Sequence, residues 1–270
     1  MKRPGFKISI LCFGYAFFYL PICSLVFYSF NASKHVNVWT GFSTKWYTAF
    51  LHNESLLQAC WTSFKIAVFS ATLAVIVGTL AAVVIVRLGR FRGKTFFKVL
   101  CMAPMVLPEV ILGLSFLFCF IAMENLTGFP SGRGALTITL AHSTISIAYV
   151  VSLVRNQLLE MDDALIEAAW DLGATPLKTF FLITLPIIAP AVAAGWFLSF
   201  ILSFDDLVVA SFVAGPEATT LPMAIFSRVR FGLTPEINAL ASILIAVAFV
   251  IIFVLGWVRN RQEKMKSQFK

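Results

Sequence analysis

Charged side chains are scarce in this sequence. Asp, Glu, Lys and Arg make up 13% of its 270 residues, whereas they make up about 25% of an average soluble domain. Hydrophobic residues make up 59% of the chain, and 28 of them are phenylalanines. A water-soluble fold of this size has too little interior to bury so much apolar surface. The composition therefore indicates a protein that spans a lipid bilayer several times.

Residue types that carry catalysis or bind metals are few and scattered. The 5 cysteines have no paired spacing, and the sequence contains neither a nucleophile elbow nor an HExxH helix. The histidines His35, His52 and His142 are interpreted as loop or helix-packing residues. The segment GRFRGKT (Gly89–Thr95) has one residue too few between its glycines for a phosphate-binding loop. We expect no catalytic residue, no metal site and no cofactor.

Six apolar segments are long enough to cross a bilayer as helices. The first is interpreted as a retained helix rather than a signal peptide, because its apolar run is long and no cleavage pattern follows. The predicted fold class is an all-α membrane protein with six transmembrane helices in a single domain, residues 1–270. The approximate spans are Ile8–Tyr28, Trp61–Val86, Phe96–Met123, Ala135–Val154, Ile187–Val213 and Asn238–Val258.

The distribution of Lys and Arg predicts the orientation. The termini and the loops on their side hold fifteen of the 21 Lys and Arg residues, the opposite loops hold five, and Lys65 lies within a span. Because cytoplasmic loops are enriched in Lys and Arg, both termini are predicted to be cytoplasmic. The net charge of +8 is then explained by topology and anionic lipid contact, not by nucleic-acid binding.

A polar stretch, EAAWDLGATPLKTFFLITLP at Glu167–Pro186, interrupts this apolar chain between the fourth and fifth spans. Its pattern predicts a short helix over Ala164–Leu172, followed by Gly173 in a left-handed conformation. Thr175 with the next proline then starts a second short helix, and Pro186 marks the turn into the fifth span. Physical chemistry alone is equally consistent with an ordinary amphipathic connector.

This stretch resembles the EAA loop of ABC-importer permeases, with every anchor at the expected spacing. The resemblance implies a MetI-like permease fold and a cytoplasmic coupling loop, over about 160–186, that docks on a separate ATPase subunit. ATP hydrolysis would then belong to that partner and not to this chain. The residues that would carry the coupling are Glu167, Ala168, Ala169, Gly173, Ile183, Leu185 and Pro186.

The remaining motifs are similar to those of polyamine importers, in particular the second permease subunit of spermidine/putrescine systems. They include LPEVILGLS (Leu107–Ser115), LSFDDLVVASFVAGP (Leu202–Pro216) and TPEINALAS (Thr234–Ser242). The segment VWTGFSTKWY is more similar to the putrescine member. Glu109 departs from the family pattern, where Asp is expected.

The resemblance implies an assembly in the bacterial inner membrane that moves polyamines, putrescine or spermidine, from periplasm to cytoplasm. The implied partners are a related but non-identical permease subunit, two copies of a cytoplasmic ATPase, a periplasmic polyamine-binding protein, the polyamine itself and membrane lipid.

The carboxylates within or beside the spans suit a cationic cargo, because ionisable groups in a bilayer are costly and usually face a pathway or a partner. The candidate pathway residues are Glu109, Asp205, Asp206, Trp46 and Tyr47, the two aromatic residues for cation–π contacts. Neighbouring helical residues point about 100° apart, so one of the two aspartates is expected to face the path. The other is expected to cap the following segment or to pair with Arg228 or Arg230.

Two alternatives stay open at this point. An ABC permease for another small cargo would keep the coupling loop, but it would explain the carboxylates less well. A proton-coupled secondary transporter would use the same acids as a relay. Such carriers usually contain an internal repeat, which this sequence does not show, and the EAA loop would then have no explanation.

Overall fold

Helices account for the regular structure of this protein in the computed structural model, which describes residues 4–35, 38–232 and 234–268. Within those ranges the β-type pairing is limited to an isolated bridge between Asn31 and Phe42. Lys2, Arg3 and Lys270, which contribute to the predicted orientation, lie outside the described residues. The chain divides into two compact units, and the assignment of residues 1–270 to one domain stays a prediction.

The first unit combines Met1–Leu57 with Ile225–Lys270. Its helices are α1 (Pro4–Ser29), α2 (Lys45–Leu51) and α12 (Pro235–Gln268). Both α1 and α2 pack against α12.

The second unit, Gln58–Ala224, is built around two long helices that pack along each other, α6 (Ala135–Glu160) and α9 (Leu185–Asp205). The boundaries between the units along the sequence fall within two further helices, α3 (Glu54–Arg87) and α11 (Leu221–Phe231). The helices of the second unit are α4 (Lys94–Met102), α5 (Glu109–Thr127), α6 (Ala135–Glu160), α7 (Ala164–Asp171), α8 (Pro176–Thr179), α9 (Leu185–Asp205) and α10 (Val208–Val213).

Small residues allow the helices of the second unit to approach closely. Val150 of α6 is fully buried and lies between Gly78 of α3 and Gly195 of α9. A Cβ atom at Gly78 would lie 2.8 Å from the Val150 side chain, which is closer than carbon atoms approach without strain. Close helix contact of this kind is how membrane helices pack without a hydrophobic driving force between them.

Among the described residues, five helical segments are long and apolar enough to cross a membrane, and a shorter apolar helix occupies Pro235–Ile251. This result confirms the predicted all-α membrane fold with six apolar helices. The five segments are Lys7–Ser29, Glu54–Arg87, Glu109–Thr127, Ala135–Glu160 and Pro176–Asp205.

The third and fifth segments differ from the predicted boundaries because of local backbone chemistry. The segment predicted at 96–123 is divided into α4, a 3₁₀ turn at Ala103–Met105 and α5. Pro108, the N-cap of α5, has no N–H to donate and disfavours a helical conformation in the residue before it. The segment predicted at 187–213 ends at Asp205, because Asp206 is extended and α10 begins afterwards.

The break expected at Pro186 is absent. Pro176–Asp205 forms one helical run, in which the residues Phe180–Thr184 form a π-helical turn. A π turn is wider than an α turn. It therefore accommodates Pro186, which lacks an N–H and whose ring crowds the carbonyl four residues earlier.

Replacing Gly78 with alanine should destabilise the second unit, because the added Cβ overlaps Val150. We expect a loss of about 1–3 kcal/mol, seen as a lower unfolding temperature in detergent. The matched control is Gly14→Ala in α1, where nothing lies within 4 Å of the added Cβ. Equal unfolding temperatures for the two variants would contradict this packing.

Candidate functional site

A cavity of about 260 Å³ lies in the second unit, and its lining brings together residues from the starts and ends of several helices. Glu109, from the start of α5, and Asp206, after the end of α9, both line it. Two of the predicted pathway carboxylates thus share one space. The cavity is also lined by Pro108, His142, Ser146 and Tyr149.

Asp206 is held by three hydrogen bonds. Its Oδ2 accepts from the backbone N–H of Ala210 at 2.7 Å, and its Oδ1 accepts from that of Val209 at 3.3 Å. These bonds cap the start of α10. Oδ2 also lies 3.0 Å from Nε2 of His142, and the side chain is 12% exposed. One aspartate therefore both lines the cavity and caps the following segment, where two separate residues were expected.

The neighbouring Asp205 has a different environment. It is exposed and has no hydrogen bond or ion pair with any residue in the described ranges. Arg228 donates to Glu236 at 3.1 Å, and the pairing of one aspartate with Arg228 or Arg230 stays a prediction.

Glu109 is exposed in the first turn of α5. An acidic residue in that position is favoured by the positive end of the helix dipole. Within the described part of the chain its carboxylate has no hydrogen-bond or ion-pair partner, so its charge is available to a group in the cavity.

His142 is a site residue that the sequence interpretation missed, because it was taken as a helix-packing residue. It is 3% exposed, and both of its ring nitrogens lie near polar side chains. Nδ1 is 2.7 Å from Oγ of Ser203, which also accepts a bond of 2.9 Å from the hydroxyl of Ser70. A signal was present in the sequence: His142, Ser146 and Tyr149 recur at the spacing of one helix face.

Trp46 and Tyr47 lie in the first unit, where partners from their own chain occupy them. The indole N–H of Trp46 donates to the carbonyl of Asn31 at 2.7 Å, and the Tyr47 hydroxyl is 2.7 Å from that of Ser29. The Lys45 ammonium lies 4.8 Å from the centre of the Trp46 ring. The cation–π contact expected for a cargo is therefore made by a lysine of this chain.

The predicted coupling loop forms the expected local structure. α7 ends in a Schellman arrangement, in which the N–H of Ala174 donates to the carbonyl of Ala169 and that of Gly173 donates to the carbonyl of Trp170. Gly173 has φ +78°, a left-handed conformation that glycine adopts readily. Thr175 is the N-cap of α8.

The surface of α7 combines a charge with exposed apolar side chains. Glu167 and Ala168 are exposed, whereas Ala169 is buried. Beside them Trp170 is 54% exposed and Leu172 is 90% exposed. Exposed apolar side chains that lie together beside polar residues are a common feature of protein interaction sites.

The start of α7 is tied to the end of α3 by an ion pair between Arg87 and Asp163. A cavity of about 360 Å³ lies beside this pair, and Glu167, Trp170 and Phe180 contribute to its lining. The coupling loop is therefore connected to α3 as well as to the run that leads into α9.

Comparison with known proteins identifies the family. The model of the family described as "Binding-protein-dependent transport system inner membrane component" matches residues 74–267. The chain belongs to this family. It is accordingly a multi-pass inner-membrane protein of transport systems.

Two curated relatives cover nearly the whole permease. The putrescine transport system permease protein PotI of Escherichia coli K12 is 51% identical over 98% of this chain and 94% of its own length. The spermidine/putrescine transport system permease protein PotC of the same strain is 43% identical over 98% of this chain and 96% of its own length. Both are named as permeases, and the permease described here is likewise a transport subunit rather than a catalyst.

A solved structure supports the fold independently of close sequence identity. The permease aligns with a chain of a bacterial ABC transporter involved in the import of the acidic polysaccharide alginate, with a TM-score of 0.68 over 94% of each chain. The sequence identity is 16%, so this similarity concerns the fold alone.

Replacing Gly173 with alanine should loosen the end of α7, because a left-handed conformation costs a residue with a Cβ about 1–2 kcal/mol. We expect faster amide hydrogen exchange over Ala164–Asp171, measured by mass spectrometry. Gly89→Ala is the control, since Gly89 lies in another loop with open space around it and without a positive φ. Unchanged exchange in Gly173→Ala would show that the α7 end does not depend on this cap.

Proposed function

We propose that the permease is one transmembrane subunit of an ATP-driven importer that moves polyamines, putrescine first among them, from periplasm to cytoplasm. The observation that carries the proposal is the cavity shared by Glu109 and Asp206. The 51% identity to a putrescine permease over nearly the whole chain supports the choice of cargo.

The chemistry of the cavity suits a diammonium ion. Glu109 has no partner in the described residues, so it keeps a free negative charge, and Asp206 offers a second carboxylate that is held in place by three donors. A charge near apolar spans is retained at a cost when it serves a function. Two carboxylates in one space attract a cargo that carries a positive charge at each end.

The coupling role is proposed for the loop residues with the motif spacing, namely Glu167, Ala168, Ala169, Gly173, Ile183, Leu185 and Pro186. The exposed charge of Glu167 and the exposed Trp170 and Leu172 support docking on another protein. The proposed occupant is a cytoplasmic ATPase, present in two copies. This arrangement requires both termini to be cytoplasmic, as the Lys and Arg distribution predicts.

The other proposed partners follow from the same assembly. A related permease subunit would complete the pathway, and a periplasmic polyamine-binding protein would deliver the cargo. In this arrangement Asp205, Trp46 and Tyr47 have secondary roles, since Asp205 is exposed and the polar groups of both aromatic residues are already bonded within the chain.

Glu109→Gln tests the cargo assignment, because it removes a charge without removing a hydrogen bond that the described structure uses. We expect the rate of radiolabelled putrescine uptake by the reconstituted importer to fall about tenfold, as the loss of one charged contact implies. Glu124→Gln is the matched control: Glu124 lies on the same helix and accepts from the N–H of Gly132, and it does not line the cavity.

Asp206→Asn tests the cargo assignment only when it is compared with Glu109→Gln and Glu124→Gln, because an amide cannot accept all three hydrogen bonds of the carboxylate. Its unfolding temperature must therefore be measured with its uptake. Uptake equal to wild type in both Glu109→Gln and Asp206→Asn would return these carboxylates to a structural role. Putrescine uptake that continues without the ATPase would favour the proton-coupled alternative.

Glu167→Arg tests the coupling assignment. Reversing the exposed charge should abolish uptake and uncouple ATP hydrolysis from cargo delivery, because charged groups at an interface discriminate strongly against like-charged neighbours. Glu217→Arg, an exposed change between α10 and α11 outside the proposed coupling loop, is the control. Coupled ATP hydrolysis that survives in Glu167→Arg and in a Leu172→Asp variant would contradict docking through α7.

A further inference from the structure

A chain of hydrogen bonds runs through the second unit to the cavity carboxylate. It begins at Ser70 on α3, continues through Ser203 on α9 and His142 on α6, and ends at Asp206. Ser70 is fully buried, His142 is 3% exposed and Ser203 is 6% exposed. A polar chain that is buried to this degree is costly unless all of its members are bonded.

The bonds of this chain are all made when the imidazole is neutral and carries its proton on Nε2. Ser70 donates to Ser203, the Ser203 hydroxyl donates to Nδ1, and Nε2–H donates to Oδ2 of Asp206. Each group then uses its donor once. The partner at Nδ1 thereby selects the ring nitrogen that faces the carboxylate, which is how a second hydrogen bond orients a histidine.

The order Asp206, His142, Ser203 is also that of a hydrolase triad. The surroundings exclude that role. The Ser203 hydroxyl is buried inside the helix packing, and its oxygen already accepts from Ser70, so it cannot reach a substrate. The group that lies beside the cavity is the carboxylate, and the chain of bonds leads towards it.

We propose that His142 is a positioning residue for the cargo, acting through Asp206; this inference rests on the proposed polyamine transport. The two backbone N–H groups after Asp206 hold one side of its carboxylate. His142 donates the third bond and fills the remaining site on Oδ2. Oδ1, which accepts a single bond of 3.3 Å, keeps a lone pair for the cargo ammonium.

Without His142 the carboxylate keeps its two backbone bonds to α10, but it gains freedom to turn away from the cavity. A cargo ammonium then meets a less ordered acceptor, and part of the binding interaction is lost. Glutamine can replace this donor, since its amide N–H is able to reach the same oxygen. Alanine and leucine cannot.

The test uses the complete importer, with ATPase and binding protein, reconstituted in liposomes. At putrescine concentrations below saturation, the amount of putrescine taken up per ATP hydrolysed should fall about tenfold in His142→Ala. It should return to within about twofold of wild type in His142→Gln. Ser143→Ala is the matched control and should also stay within about twofold, because Ser143 is a buried residue of the same helix whose hydroxyl donates to the carbonyl of Leu140 and which does not line the cavity.

A double-variant comparison separates positioning from general stability. If His142 acts through Asp206, adding His142→Ala to Asp206→Asn should cause no further loss of uptake. Equal uptake in wild type and His142→Ala would overturn the inference. A further tenfold loss of uptake in the double variant would also overturn it, and so would uptake in His142→Gln that is as low as in His142→Ala. If the importer with His142→Ala does not assemble, Ser203→Ala is used as the test variant instead. It removes the bond to Nδ1 and should lower uptake about threefold.

The result for Glu109→Gln distinguishes this inference from the proposed function. Wild-type liposomes that take up no putrescine with ATP would overturn both. Normal wild-type uptake, reduced uptake in Glu109→Gln and unchanged uptake in His142→Ala would overturn the positioning role alone.

Discussion

The hydrogen bonding of the Asp206 carboxylate organises the end of α9. A charged group that is largely removed from water is costly unless donors surround it. The chain satisfies this one by ending α9 at Asp205 and turning, so that the first N–H groups of α10 point at the carboxylate. α6 supplies the third donor, His142, and that ring in turn requires Ser203. The helix break, the short α10 and the buried polar chain therefore all contribute to the hydrogen bonding of the Asp206 carboxylate.

The helices and the coupling loop could be predicted from the sequence because their causes are local. Long apolar runs predict helices in a bilayer, and Gly173 predicts its own left-handed cap. The break at Pro108 was also foreseeable, since proline acts on its own backbone and on the residue before it. The continuous run through Pro186 was not, because a π turn depends on how the neighbouring turns share their hydrogen bonds.

The composition of the site could be predicted better than its connections. Glu109 and Asp206 were recognisable as costly charges, but their shared cavity depends on the packing of α5, α6 and α9. His142 and Asp206 are 64 residues apart, so no local pattern joins them. Trp46 was predicted from its residue type, which suits a cation, but the sequence alone did not show that the Lys45 ammonium lies over its ring.

The cavity and the coupling loop are linked by one element. The run Pro176–Asp205 begins within the proposed coupling loop and ends beside Asp206. Its 30 residues extend over about 45 Å at the helical rise. A tilt of about 5° at the loop end would move the other end by about 4 Å, which exceeds the length of a hydrogen bond. α6 packs along α9, so His142 lies on one of these two helices and Asp206 directly follows the end of the other. A displacement that α6 and α9 share keeps the carboxylate oriented, whereas sliding between them breaks the bond between His142 and Asp206. The state of that bond is therefore a direct measure of whether the two helices move together.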